Sequence, residues 1–171
     1  WKELLREEGM TVGRLDSRYR GLDRADAGTS PDFDPALTSW NHAFAPAINH
    51  YLREELGFET DLQYWLFGPV NPWNRQGEQT GQQLQQAMGQ NPFLHVMTQS
   101  GYFDGGTDYF NAKYNMWAMD PSGRFQDRLQ FKGYRSGHMM YLRAEDLATS
   151  NDDIRAFTTR TMPRPDQPAR R

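Results

Sequence analysis

Apolar residues recur at three- and four-residue steps between Pro35 and Leu56, where Leu37, Trp40, Phe44, Ile48, Tyr51 and Leu52 would line one face of a helix. Pro46 lies inside that run. A proline there removes one helical hydrogen bond and crowds the preceding turn, so a kink or break is expected. Gly57 closes the segment. Ahead of it, "WKELLREEG" gathers Trp1, Leu4 and Leu5 on one face and reads as the end of a helix capped by Gly9. Residues 10–35 are rich in Gly, Asp and Pro and predict a long, mostly irregular excursion.

The stretch "FETDLQYWLFGPVNPWNRQGEQ" is aromatic, punctuated by prolines and loop-like. A weakly amphipathic helix follows from Thr80 to about Gln90, ended by Asn91-Pro92. "FLHVMTQSG" has the alternation and β-formers of a strand, and "LQFKGYRSG" is a second strand. Between them lie a helix from about Thr107 to Met119 and the turn "DPSGRFQDR". "RAEDLATSNDDIRAFTTR", preceded by Leu142 and carrying Leu147, Ile154 and Phe157, predicts a last helix. "PRPDQPARR" then forms a proline-rich tail with no core face. From residue 80 onward the order is helix, strand, helix, strand, helix, which predicts an α/β arrangement with a parallel sheet covered by helices. Two parallel strands leave open edges, so further strands are expected from elsewhere.

Composition narrows the function classes. A length of 171 residues fits one domain or part of a larger one, and five Trp among 13% aromatics supply bulky side chains for a core. The mean hydropathy of -0.89 is polar, and a net charge of -3 gives no general attraction to nucleic acid or an anionic membrane. Without cysteine there is no disulfide, thiol nucleophile or Cys-based zinc site. No run approaches the apolar length of a transmembrane helix. The chain opens on Trp1 within a helical pattern, which reads as the continuation of an upstream segment; the absence of a leader sequence is therefore uninformative about export.

Two loops could carry chemistry. In "QSGYFDGGTDYF", Asp104 stands just beyond the carboxyl end of the first predicted strand, ahead of a helix. His138, in "FKGYRSGHMMYLR", stands in the equivalent place beyond the second. Open α/β sheets collect ligands and catalytic groups at that end. An Asp followed by a His on one rim matches two members of a triad ordered Ser, Asp, His. There the carboxylate accepts the imidazole Nδ1–H and stabilises the cation formed when Nε2 takes the nucleophile's proton. The plainer alternatives are an N-cap or turn role for Asp104 and a packing role for His138.

Other groups carry less. His42 and His50 stand eight residues apart, wider than the usual metal pair, and His95 reads as packed within its strand. Asp104 and Asp108 lack the acidic spacing of a calcium loop. The aromatic stripe from Trp40 to Tyr51 reads as core rather than as a ligand platform, and "RLDSRYR" as a salt-bridged loop. No metal or cofactor is implied. No serine has a G-x-S-x-G frame, and Ser136 is too close to His138 in sequence to be its nucleophile.

"SGYFDGGTDYF" resembles the aspartate segment of the serine carboxypeptidase family, in its bacterial branch, and "GHMMYL" resembles that family's histidine segment. "VGRLDSRYRG", the helix from Trp40 to Gly57 and "VNPWN" are similar to the family's helical insertion over the active site. The likeness runs in order along the chain to about residue 160. It departs after the aspartate, where the family has an apolar residue, Ala, Thr and Pro and this chain has Gly105, Gly106, Thr107 and Asp108.

The resemblance implies the C-terminal portion of an α/β-hydrolase, a few parallel strands flanked by helices, with an α-helical lid-like insertion. On that expectation residues 1–78 form the lid, 79–162 the end of the hydrolase core, and 163–171 a tail. Asp104 becomes the triad acid, His138 the general base, and Met139 a lining residue of the substrate pocket. The implied activity is release of C-terminal residues from peptides through an acyl-enzyme. The nucleophilic serine and oxyanion donors would lie upstream, so the chain alone is expected to be inactive. Its implied partners are a peptide substrate, the N-terminal half of the same protein and, through open edges, a second copy, with no nucleic acid or membrane. A periplasmic or secreted location follows from the resemblance alone. A non-catalytic peptide- or glycan-binding module of the same ancestry is the alternative.

Overall fold

The computed structural model describes residues 1–25, 27–62, 64, 72, 74, 76, 77 and 79–162. The tail expected over 163–171 lies outside them, as do Val70, Asn71 and Trp73 of "VNPWN". The chain divides into two compact units, Trp1–Gln76 and Gly77–Arg171.

In the first unit the expected N-terminal helix is a single 3-10 turn, Arg6–Glu8, which Gly9 ends in the left-handed conformation at φ 64°. So short a segment cannot offset the cost of nucleating an α-helix. The stretch expected to be irregular instead begins with an antiparallel ribbon, β1 (Met10–Val12) paired with β2 (Arg20–Leu22), Thr11 opposite Gly21. Three-residue strands are too short to display an alternation, which is why the pattern hid them. An ion pair of 2.8 Å between Lys2 and Asp23 closes the base of the ribbon, with both side chains only 4% exposed. Within its connecting loop, Asp16 accepts hydrogen bonds from the backbone and guanidinium of Arg18, the salt-bridged loop that "RLDSRYR" suggested.

The long helix α1 spans Pro35–His50. Asp34 starts it by accepting the N–H groups of Ala36 and Leu37, and Pro35 occupies a first-turn position where its missing N–H costs nothing. The break expected at Pro46 does not occur there. Pro46 and His42, whose carbonyl loses its partner, both lie on the exposed side, where water can take that carbonyl. The winding changes five residues later, in a π turn over Tyr51–Glu55 that ends before Gly57 at φ 61°. Nor is the aromatic stripe a core. Trp40 is buried, as are Val12 and Ala36, and its ring stands edge-on to Tyr19 at 5.8 Å, but Phe44 and Tyr51 remain 38% and 51% exposed.

The second unit orders α2 (Thr80–Gln90), β3 (Val96–Gly101), α3 (Tyr109–Met119), β4 (Leu129–Tyr134) and α4 (Ala144–Thr161). His95 precedes β3 rather than lying inside it, and both its ring nitrogens are buried with no hydrogen-bond partner among the described residues. β3 and β4 pair in parallel, from Val96 opposite Leu129 to Gly101 opposite Tyr134, with α3 as the crossover of a β-α-β unit. Among the described residues this sheet has two strands, so each keeps an unpaired edge. Mixed helices and short sheets of this kind are compatible with the α/β class.

Alternation along β4 sends Phe131 to one face and Lys132 and Tyr134 to the other. Helix α3 covers the first face, its Trp117 ring 6.4 Å from that of Phe131. Helix α4 covers the second through polar contacts. Asp153 accepts from Lys132 at 2.6 Å and from the Tyr134 hydroxyl at 2.8 Å, while Gln99 donates to that hydroxyl and to the Ser150 carbonyl. This polar docking leaves the apolar face expected of α4 outside, with Leu147 and Ile154 43% and 45% exposed. Among the described residues of this unit, Met88, Met119 and Tyr134 are the buried apolar side chains. Arg128, read from the sequence as a turn residue, is also buried and donates to the carbonyls of Met88, Asn91 and Leu94.

Candidate active site

The parallel register brings the ends of β3 and β4 level, and the chain beyond each strand keeps the ladder going. Tyr102 N–H donates to Tyr134 O at 2.9 Å, and Phe103 N–H to Ser136 O at 3.0 Å. The two loops touch backbone to backbone because Gly101 has no side chain. A Cβ there would stand 2.2 Å from the carbonyl oxygens of both Ser136 and Gly137.

This approach carries Asp104 to His138. The imidazole Nδ1 lies 2.8 Å from Asp104 Oδ2, across 34 residues of sequence. The Asp104 side chain is 4% exposed and the His138 side chain 46%, so the acid is sealed and the base opens outward. Three further donors reach the carboxylate. Gly106 N–H and Thr107 N–H approach Oδ1 at 2.8 and 3.2 Å, and the Thr107 hydroxyl approaches Oδ2 at 2.6 Å. Burial pushes the Asp104 carboxyl up. Hydrogen bonds from the Thr107 hydroxyl, His138 and the two backbone N–H groups outweigh it and hold the group below the ordinary aspartate value.

An ionised Asp104 can only accept, so the imidazole must present Nδ1–H to it. Nε2 is then the basic nitrogen. It makes no hydrogen bond among the described residues. The arrangement leaves Nε2 free to accept a proton.

Asp108 plays no part in the pair. It caps α3, its carboxylate accepting Asn111 N–H at 2.8 Å. Ser136 is fully buried, and its hydroxyl donates to Asp146 Oδ2, while Asp146 Oδ1 accepts Arg143 Nη1 at 2.7 Å. That bond ties the loop bearing His138 to the first turn of α4. Met139 follows His138, half-buried, and leads into a 3-10 turn over Met140–Leu142. His42 and His50 are exposed on α1 in the other unit, and among the described residues no three acidic or histidine side chains gather to hold a metal.

Thr107, Asp146 and Arg143 carry structure around the pair that the sequence reading did not assign. The spacing of Asp104 and Thr107 is that of a local side-chain turn, which was the available signal. No protein-family model, curated protein or solved structure matches this chain.

Proposed function

We propose that the chain is the C-terminal, acid–base part of a serine carboxypeptidase-like α/β-hydrolase. One observation carries the reading: a buried carboxylate and an open imidazole meet at 2.8 Å beyond the carboxyl ends of adjacent parallel strands. That position and chain order fit the last two members of a Ser, Asp, His triad. Residues 1–78 serve as the lid-like insertion and 79–162 as the end of the hydrolase core.

The serine comes from an upstream part of the protein. His138 Nε2 takes the proton from its hydroxyl as the oxygen attacks the carbonyl of the last peptide bond, and Asp104 stabilises the resulting imidazolium. The imidazolium then protonates the leaving amino group, releasing the C-terminal residue and an acyl-enzyme. Water, deprotonated by the same nitrogen, frees the shortened peptide. Met139 borders the base on the substrate side.

The test is steady-state kinetics of the longer protein on an N-blocked dipeptide. His138→Ala nearly abolishes turnover with little change in substrate affinity. Asp104→Asn lowers kcat on the order of 10⁴-fold by favouring the wrong tautomer. The double variant is little worse than His138→Ala, because the residues act as a unit. Near-normal kcat in Asp104→Asn would refute the assignment. This chain by itself, without a nucleophile, hydrolyses neither peptides nor esters.

A further inference from the structure

We infer that Thr107 is a positioning residue for the acid, clamping the Asp104 carboxylate so that one of its oxygens is always presented to His138. Its catalytic meaning rests on the proposed function; the clamp itself does not.

A carboxylate offers about four lone-pair sites. Here four donors fill them: the N–H groups of Gly106 and Thr107 on Oδ1, and the Thr107 hydroxyl and the His138 imidazole on Oδ2. Two of the four belong to Thr107, one on each oxygen. The residue therefore grips both ends of the carboxylate and opposes rotation about its terminal bond. Gly106 N–H adds a second hold on Oδ1 alone, and neither Gly105 nor Gly106 has a side chain to pack against the carboxylate.

The hydroxyl also stands 3.4 Å from His138 Nδ1. Committed as a donor to Oδ2 at 2.6 Å, it shares the oxygen with the imidazole N–H and defines the direction from which the ring must approach. It is the largest of the influences that keep Asp104 acidic. A carboxylate that stays ionised and cannot turn selects a single imidazole tautomer, which is what a base acting through Nε2 needs. Thr107 itself is exposed, so removing its hydroxyl puts mobile water where a fixed donor stood.

The experiment follows the Asp104 carboxyl carbon and the His138 ring nitrogens by NMR, against pH, in the isotope-labelled chain. In Thr107→Val the Asp104 carboxyl titrates at higher pH than in the native chain, and the neutral His138 ring becomes a mixture of tautomers. Thr107→Ser restores both properties, which a merely space-filling role would not require. Thr107→Ala gives the same two changes and replaces the valine variant if that one loses the amide signals of β3 and β4. An unchanged Asp104 titration and unchanged tautomer in a folded Thr107→Val or Thr107→Ala overturns the inference. Failure of the hydrolase reading shows elsewhere, as a longer protein without serine-dependent turnover, and leaves these NMR changes in place.

Discussion

Replacing Gly101 by alanine measures how closely the acid and base loops must approach. The new methyl carbon would stand 2.2 Å from two backbone oxygens and 2.7 Å from the Ser136 carbonyl carbon, where contacts under 3.0 Å essentially never occur. These are backbone atoms, so no side chain can swing aside. The strand end and the loop must part by more than about 1 Å to restore ordinary contact. That movement stretches the Phe103 N–H bond to Ser136 O, now 3.0 Å, beyond hydrogen-bond range. Overpacking costs about 1–3 kcal/mol and the lost bond about 1 more, so the variant should be destabilised by roughly 2–4 kcal/mol. Gly89 supplies the control with opposite sign. It lies in α2 with nothing within 4 Å of its would-be Cβ, and Gly89→Ala should gain about 0.5–1 kcal/mol from helix propensity. Equilibrium urea unfolding of both variants reads the two values, and the Nδ1–H signal of His138 reports whether the pair has separated. A Gly101→Ala protein of native stability with that signal intact would refute the close-approach argument.

Arg128→Ala removes a buried donor shared by the carbonyls of Met88, Asn91 and Leu94, of which Asn91 keeps the Leu94 N–H, and should cost about 2–3 kcal/mol by urea unfolding. Asp108→Ala removes only the cap of α3, costing about 1 kcal/mol, and should leave the His138 ring signals unchanged. Asp153 is held below the ordinary aspartate value by the Lys132 ion pair, which with the Tyr134 hydrogen bond outweighs burial. A carboxyl more acidic in the folded state contributes fully above its unfolded value of 3.8 and loses that contribution as pH falls through the folded value. Urea midpoints at neutral pH and below 3.8 should therefore converge partway in Asp153→Asn.

The second unit was legible where each element is long enough to declare its period. Helix α2 runs over Thr80–Gln90 as its pattern and the following Asn91-Pro92 predict, and the parallel pairing of β3 with β4 follows from their alternation with helices. Asp104 and His138 were visible because both stand beyond strand ends, where position alone suggests a role. The ribbon of β1 and β2 was not visible, because Lys2 and Asp23 hold it and their pairing is not a periodic signal. Arg128 was missed for a related reason: three carbonyl partners 34–40 residues away turn an apparent surface charge into a buried strut. At Pro46 the helix runs on unbroken, since the His42 carbonyl freed by the proline lies on the exposed side, where solvent can take it. Helix α4 kept its place, yet its apolar side is not the side that docks, since an ion pair and two hydroxyl and amide contacts decided its face.

The 34-residue separation of acid and base has a consequence for inheritance. Both belong to one strand–helix–strand passage, so they are brought together by closing a single local loop rather than by meeting of distant parts of a gene. Loop-closure entropy grows slowly with length, and even doubling the intervening passage would cost only about 0.6 kcal/mol. Recombination can therefore lengthen, shorten or transplant this passage as a cassette and deliver acid and base already matched. On the function proposed above, a nucleophile inherited from another segment would then meet a finished partner.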